Sequence, residues 1–190
     1  MIADEIVVTA TEETEKRTET YLKKYGLTAA VVRGGSERVD SVRNALQACT
    51  KDYVLIHDAA RPFASEALFT RVKAALTNDH CVIPVVPLVD TVYQVDENGS
   101  VYRMMQRESL FAVQTPQGFP TELLRSAHES AARDGVQTTD DGSVFLHCGL
   151  GVKTVEGEKA NFKITYPTDL EIARIMAIKS EILEAMHSGN

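Results

Sequence analysis

Short apolar segments alternate with amphipathic segments along the first half of the chain. Residues 6–8, 29–32, 53–56 and 81–86 are short runs rich in β-branched and other apolar residues, which is typical of buried strands. The segments between them carry apolar residues every three or four positions, which predicts helices, and Ser65 stands where one helix needs an N-cap. The alternation predicts an α/β fold: a doubly wound (Rossmann-like), mostly parallel sheet with helices on both faces.

The pattern changes between residues 90 and 114. Two alternating segments, 91–95 and 100–105, flank an Asn-Gly turn, which is a strong signal for a β-hairpin. We expect this hairpin to project from the sheet as an arm and to make contacts in a homodimer. The rest of the chain predicts helices at 121–132 and 140–148, strands at 152–155 and 162–164, and a helix after Pro167. Residues 114–120, with two prolines, are interpreted as a rigid loop. With no repeat or linker, residues 1–190 form one predicted domain, with 90–114 as its arm.

Composition and charge exclude several classes of protein. The 27 acidic and 20 basic residues give a formal charge of −7, so the broad positive field of a nucleic-acid binder is missing. The longest apolar run is too short to span a membrane, and no secretory signal is present, so we expect a cytoplasmic protein. The three cysteines have neither CxxC pairs nor histidines at metal-ligand spacing, which supports neither disulfides nor a zinc site.

Several candidate functional residues follow predicted strands, where open α/β sheets bind ligands. Gly34-Gly35-Ser36 can present backbone N–H groups to an anion at a helix start, although two glycines there also occur for steric reasons. Asp58 and Arg61 follow a buried strand and could hold Mg²⁺ and a phosphate, or simply pair with each other. We give the neighbouring His57 a packing role only. Lys163 could face a phosphate or solvent, and Thr139-Asp140-Asp141 are interpreted as helix caps.

Six motifs in this order resemble the 2-C-methyl-D-erythritol 4-phosphate cytidylyltransferase family, and the resemblance covers most of the chain. They are Gly34-Gly35-Ser36-Glu37-Arg38 with Asp40-Ser41-Val42, His57-Asp58-Ala59-Ala60-Arg61-Pro62, Val89-Asp90-Thr91, Gln114-Thr115-Pro116-Gln117-Gly118-Phe119, Thr139-Asp140-Asp141, and Val155-Glu156-Gly157 through Asn161-Phe162-Lys163-Ile164-Thr165. The resemblance implies transfer of a cytidylyl group from CTP to a sugar-alcohol phosphate, with release of pyrophosphate, in non-mevalonate isoprenoid biosynthesis.

The resemblance also implies roles for individual residues. It implies a Mg²⁺ cofactor (or another divalent cation) on Asp58, and a homodimer joined through the hairpin arm. Asp58, Arg61 and Lys163 would be catalytic. CTP would be bound by Gly35, Ser36, Ser41, Asp58, Ala59 and Lys163, and the acceptor by Arg61, Thr91, Arg107 and Thr115.

The start of the chain departs from the family pattern. The family opens with a strand and a glycine-rich loop that contains an arginine, followed by Pro-Lys-Gln, whereas this chain begins at what resembles the second strand. Without that segment we expect strands lacking a neighbour, lower stability and no transfer from CTP. Two alternatives therefore stay open: a cytidylyltransferase for another acceptor such as ribitol 5-phosphate, and an inactive remnant that dimerises or binds nucleotide.

Overall fold

The fold is described from a computed structural model, which covers residues 2–136 and 138–188. Met1, Gln137, Gly189 and Asn190 of the predicted domain lie outside the described residues. The strands are β1 (Val7–Ala10), β2 (Ala30–Arg33), β3 (Tyr53–Ile56), β4 (His80–Pro87), β5 (Tyr93–Val95), β6 (Val101–Met104), β7 (Phe111–Val113), β8 (Gln117–Pro120) and β9 (Gly151–Glu156). The helices are α1 (Glu12–Lys24), α2 (Arg38–Leu46), α3 (Glu66–Ala75), α4 (Thr121–Arg133), α5 (Asp141–His147) and α6 (Pro167–Ser188). None of the described helices could cross a membrane.

The predicted α/β fold is confirmed, with helices on both sides of a central sheet. The main sheet has the order β3-β8-β4-β7, and β9 pairs with β4. Strands β3, β4 and β9 run in one direction, while β7 and β8 run antiparallel to their neighbours. Consecutive β8 residues face opposite sides: a Cβ at Gly118 would meet Val72 of α3, whereas Phe119 packs on Phe145 of α5.

The first two strands form a sheet of their own. Strand β1 pairs with β2 in parallel, and β3 pairs with β8, so within the described residues no backbone pairing joins β1 to β3. An ion pair between Arg38 of α2 and Asp58, which follows β3, spans the two parts. This interruption agrees with the expectation that neighbouring strands lack a partner. In the described part of the chain, β1 and β3 each have one backbone edge without a ladder.

The predicted hairpin is present. Strand β5 pairs antiparallel with β6, with an irregularity at Gln94/Val95, and Gly99 in the turn has a φ of +80°. That positive φ is the reason for a glycine in this turn. All seven residues of the two strands are exposed.

Two predictions, one of a loop and one of a strand, were wrong. Residues 117–120, interpreted as part of a loop, form the fully buried strand β8. Their short length and the prolines hide the β pattern. Residues 162–164, predicted as a strand, have no strand pairing, and instead the Ile164 N–H donates to the Ala60 carbonyl at 2.8 Å. That contact places the 157–165 segment across the turn that carries Asp58.

The core lies between the sheet and the helices α2, α4 and α5. Phe119 on β8 is fully buried, and its ring lies 5.1 Å from that of Phe145. Leu46 and Leu124 bring α2 and α4 onto the same cluster. The buried faces of these helices therefore fix β8, and with it the loop before β8, relative to β3.

We predict that Phe119→Ala lowers the free energy of unfolding by about 3–5 kcal/mol, because it leaves a cavity beside Phe145. Urea unfolding followed by circular dichroism measures this change. The control is Leu146→Ala, since that side chain is 64% exposed and exposed positions usually change stability by less than about 0.5 kcal/mol. Equal losses in the two variants would contradict the position of Phe119 in the core.

Candidate active site

The turn after β3 carries the centre of the site. Asp58 is largely buried, its backbone N–H donates to the Thr115 hydroxyl at 3.0 Å, and the Arg61 N–H closes the turn on the Asp58 carbonyl at 2.9 Å. His57 lies beneath, with its ring 5.2 Å from that of Phe69. Its Nδ1 lies 3.0 Å from the Thr115 hydroxyl, and its Nε2 3.1 Å from the Arg61 carbonyl. His57 packs against Phe69 beneath the turn, as predicted.

The Asp58 carboxylate lies between two cations. The Lys163 Nζ donates to Oδ2 at 3.0 Å, and the Arg38 Nε donates to Oδ1 at 3.1 Å. Burial acts to raise the pKa of Asp58, but the Lys163 hydrogen bond and the Arg38 charge outweigh burial and hold the pKa below its usual range. Asp58 is therefore ionised at neutral pH.

The guanidinium of Arg61 is held by backbone carbonyls. It donates to the Asn161 carbonyl at 2.8 Å and to the Val113 carbonyl at 3.3 Å. Burial lowers the pKa of Arg61, and the nearby Asp58 charge partly opposes that shift. Because carbonyls do not neutralise it, Arg61 keeps a positive charge that is free to attract an anion.

A tight turn between β2 and α2 lies next to this centre. The Gly35 N–H donates to the Ser41 Oγ at 3.0 Å, and the Ser36 hydroxyl donates to Asp40 at 2.8 Å. A Cβ added at Gly35 would lie 2.1 Å from the Asp40 Cβ, so the close approach requires glycine. Arg38 extends from this turn to Asp58, which links the two parts of the site.

A cavity of about 250 Å³ opens between these segments, and its lining is mainly polar. Three cationic side chains line it together with two carboxylates. The lining residues are Arg38, Asp58, Arg61, Val113, Gln114, Thr115, Gln117, Thr139, Asp140 and Lys163. Such a lining suits a ligand that carries negative charge and hydrogen-bonding groups.

The structure gathers most of the predicted site residues. Residues 35, 36 and 41 lie at the start of α2, Ala59 adjoins Asp58 in the turn, and Asp58, Arg61, Thr115 and Lys163 line the cavity. The shared site predicted for Asp58 and Lys163 is therefore confirmed as a contact. Thr91 and Arg107 lie in the hairpin region, outside the cavity lining, and Arg107 donates to the Val89 carbonyl at 2.7 Å.

Sequence reasoning missed some of the site and misassigned one residue. Asp140 caps α5 as predicted, since it accepts from the Ser143 N–H at 3.0 Å. Asp141 was wrongly interpreted as a cap: its carboxylate pairs with Arg38 at 2.8 Å. Arg38, Gln114 and Gln117 were quoted only as parts of motifs. An arginine at the start of the helix that follows a Gly-Gly turn was the available signal for Arg38.

The residues fit a metal ion that arrives with phosphate groups. The described residues contain no cluster of three His, Cys, Asp or Glu side chains able to hold a metal. Mg²⁺, however, is commonly bound through one or two carboxylates plus substrate phosphates and water. Asp58, at the edge of a cavity lined by cations, suits such an arrangement. Cys49, Cys81 and Cys148 are free thiols in the structure.

Fold and site together define a class of protein: an α/β protein with a cation-lined polar cavity next to the turn that follows strand β3 of the main sheet. Residues 2–179 match the 2-C-methyl-D-erythritol 4-phosphate cytidylyltransferase (IspD) family, and the chain belongs to this family. A cytidylyltransferase of Nostoc punctiforme bearing the family name is 43% identical over 77% of the chain and 65% of that relative. One of Rhodococcus jostii is 46% identical over 91% of the chain and 75% of the relative.

The fold is similar to that of a solved relative. The crystal structure of the 2-C-methyl-D-erythritol 4-phosphate cytidylyltransferase of Thermus thermophilus superimposes with a TM-score of 0.81. It is 39% identical, and the match covers 92% of this chain and 83% of that one. The chain thus spans less than two thirds of the Nostoc punctiforme relative and three quarters of the Rhodococcus jostii relative.

We predict that Lys163→Met raises the pKa of Asp58, because the hydrogen bond is lost while burial remains. Titration of the Asp58 carboxyl by ¹³C NMR measures the shift, and Lys159→Met, at an exposed lysine, is the control. A carboxyl whose pKa is lower in the folded protein stabilises the fold at pH values above its ordinary pKa of about 3.9. That contribution is lost as the pH falls through the lowered pKa.

The stability difference between wild type and Lys163→Met should therefore be present at neutral pH and shrink on acidification. Chemical unfolding across this pH range measures it. A difference that grows as the pH falls would contradict the ion pair.

Proposed function

We propose that this chain transfers a cytidylyl group from CTP to 2-C-methyl-D-erythritol 4-phosphate, releasing pyrophosphate and forming 4-diphosphocytidyl-2-C-methyl-D-erythritol. One observation carries the proposal: a single cavity holds the Asp58 carboxylate, bound by Lys163 and Arg38, beside the positively charged Arg61. Membership of a family with this name supplies the identity of the reaction.

The reaction joins two anions, and this sets what the site has to provide. An oxygen of the acceptor phosphate attacks the α-phosphorus of CTP, and the bond to the β-phosphate breaks, so pyrophosphate leaves with its electrons. Lys163 and Arg61 offset the charge that accumulates and hold the phosphates in line. Mg²⁺, which we propose binds Asp58, would neutralise further phosphate charge when present. The reaction requires no covalent enzyme nucleophile.

The ligand-binding roles are part of the same proposal. Gly35, Ser36 and Ser41 would contact the cytosine, because the rigid turn presents small groups at the start of α2. Asp58, Ala59 and Lys163 would hold the ribose, the metal and the phosphates. The acceptor would contact Arg61 and Thr115 within the cavity, and Thr91 and Arg107 from a hairpin. The predicted cytoplasmic location stays a prediction.

Pyrophosphate release with CTP and Mg²⁺ tests the reaction. It is measured on the 190-residue chain and on a version extended with the N-terminal strand and glycine-rich loop of a relative. We expect release only when methylerythritol phosphate is present, and release from the extended version alone would show that the added loop completes the site. A preference for ribitol 5-phosphate would reassign the acceptor. CTP binding without release in either version would indicate the non-catalytic alternative.

We predict that Asp58→Asn in the active version abolishes Mg²⁺-dependent release and leaves the fold intact. The amide keeps the size of the side chain but removes the charge that would bind the ion. Release is followed across a Mg²⁺ titration, and circular dichroism checks the fold. The control is Asp134→Asn, at a half-exposed residue that pairs with His147. Unchanged release in Asp58→Asn would remove this carboxylate from the mechanism.

We further propose that the hairpin arm joins two copies of the chain. Apolar side chains on the arm are more than half exposed: Tyr93, Val95, Val101, Tyr102 and Met104. A two-stranded hairpin alone is marginally stable in water, so covering these side chains by a second subunit would stabilise it. A two-fold contact of this kind would bring Thr91 and Arg107 to the partner's cavity.

We predict a dimer by light scattering and a shift toward monomer in Tyr102→Asp, which places a charge on the exposed apolar face. The control, Glu97→Gln, lies in the turn of the same hairpin. A monomer at high concentration in the wild-type chain and in its N-terminally extended version would contradict the dimer.

A further inference from the structure

A buried pair of polar side chains lies behind the cavity and has no role in the reaction described above. The side chains of Asp141 and His128 are each 1% exposed. The Asp141 Oδ1 lies 3.0 Å from the His128 Nε2, and its Oδ2 accepts from the Arg38 guanidinium at 2.8 Å. Both carboxylate oxygens are therefore occupied. Asp141 begins α5 and His128 lies within α4, so two helices hold the pair.

Arg38 connects this pair to the site. Its Nη1 donates to Asp141, while its Nε donates to the Asp58 Oδ1 at 3.1 Å. The guanidinium is planar, and the directions of its N–H bonds are fixed relative to one another. Once Asp141 holds Nη1, the direction in which the Nε–H points is set as well. A lysine ammonium, which acts as a point charge, could not reproduce this relation.

The burial of Asp141 makes the arrangement rigid. A carboxylate removed from water is costly unless it is paired and hydrogen-bonded, so Asp141 keeps Arg38 close. His128 must carry a proton on Nε2 to face the carboxylate. Its Nδ1 is buried without a hydrogen-bond partner in the described part of the chain, so its polar contact is directed at Asp141. Lys163, by contrast, is 45% exposed and forms one ion pair, with Asp58.

We propose that Arg38, held by the buried Asp141–His128 pair, is a positioning residue that fixes the orientation of the Asp58 carboxylate. This inference rests on the proposed function, in which Asp58 acts on the substrates. The two cations that contact Asp58 then have different roles. Arg38 sets the direction of the carboxylate, and the more exposed Lys163 is free to exchange Asp58 for a phosphate oxygen.

The first test is the titration of Asp58 by ¹³C NMR in Asp141→Asn, which needs no turnover. Loss of a neighbouring negative charge alone would lower the pKa of Asp58. When Arg38 loses its hydrogen bond to Asp141, its contact with Asp58 weakens, and this weakening raises the pKa of Asp58. We expect the pKa to rise. The control is Glu122→Gln, which removes an exposed carboxylate from an ion pair with Arg125 on α4.

The second test is the kinetics of pyrophosphate release in the version that turns over. We expect Asp141→Asn and Arg38→Lys each to lower kcat by about 10- to 100-fold, the size of effect seen when partners behind a metal-binding side chain are removed. The KM for CTP should change little, because Arg38 does not bind the nucleotide in this proposal. Arg38→Lys keeps the positive charge, so a lower kcat in this variant reflects the lost geometry of the guanidinium.

Either test can overturn the positioning role of Arg38. A fall or no change in the pKa of Asp58 in Asp141→Asn, or wild-type kcat in Arg38→Lys, would overturn the positioning role. If Asp141→Asn does not fold, Arg38→Lys, at a one-third exposed side chain, carries both measurements, and an unchanged Asp58 pKa would again overturn it. If no version releases pyrophosphate, the proposed function fails, while the titration still tests the geometry.

Discussion

The site depends on one interaction, the pairing of the Asp58 carboxylate with cations from two distant segments. Lys163 is 105 positions from Asp58 in the sequence and Arg38 is 20 positions away, yet both contact the same carboxylate. Within the described residues, no backbone ladder joins the β1–β2 sheet to the main sheet. The contacts of Arg38 with Asp58 and Asp141 therefore connect the first part of the chain to the second across that interruption.

The elements that the sequence predicted correctly share a simple local signal. The strand at Tyr53–Ile56 is confirmed, although it is only partly buried, the hairpin with its Asn-Gly turn is confirmed, and the Ser65 hydroxyl caps α3 as expected. In each case neighbouring residues determine the outcome: an apolar β-branched run, a turn that needs a positive φ, or a hydroxyl that satisfies a free N–H. The placement of Asp58 and Arg61 was also predictable, because both follow a strand of the sheet, where open α/β sheets bind ligands. Lys163 was expected beside them, but it reaches Asp58 from an irregular segment and not from the predicted strand.

The parts that could not be predicted depend on partners far along the chain. Strand β8 contains Gly118 and Pro120, which are poor strand formers, and it exists because β3 and β4 both pair with it. The segment at 162–164 has β-branched and aromatic residues, but in the described part of the chain it forms no strand ladder, and its Ile164 N–H bonds to the Ala60 carbonyl of a turn. Asp141 stood in a capping position by spacing alone. Only the position of α2 shows that its carboxylate is needed by Arg38.

These contrasts explain why a charged residue can be essential to a site and still have no sequence signature. Arg38 carries no pattern beyond its place at the start of a helix, since its function depends on two carboxylates 20 and 103 positions away. A buried ion pair is weak evidence for added stability, because desolvation offsets much of the attraction. The orientation that Arg38 imposes on the Asp58 carboxylate is a better explanation for the buried ion pair. The guanidinium gives Asp58 a fixed orientation at the cavity, where a carboxylate held by water alone would be free to rotate.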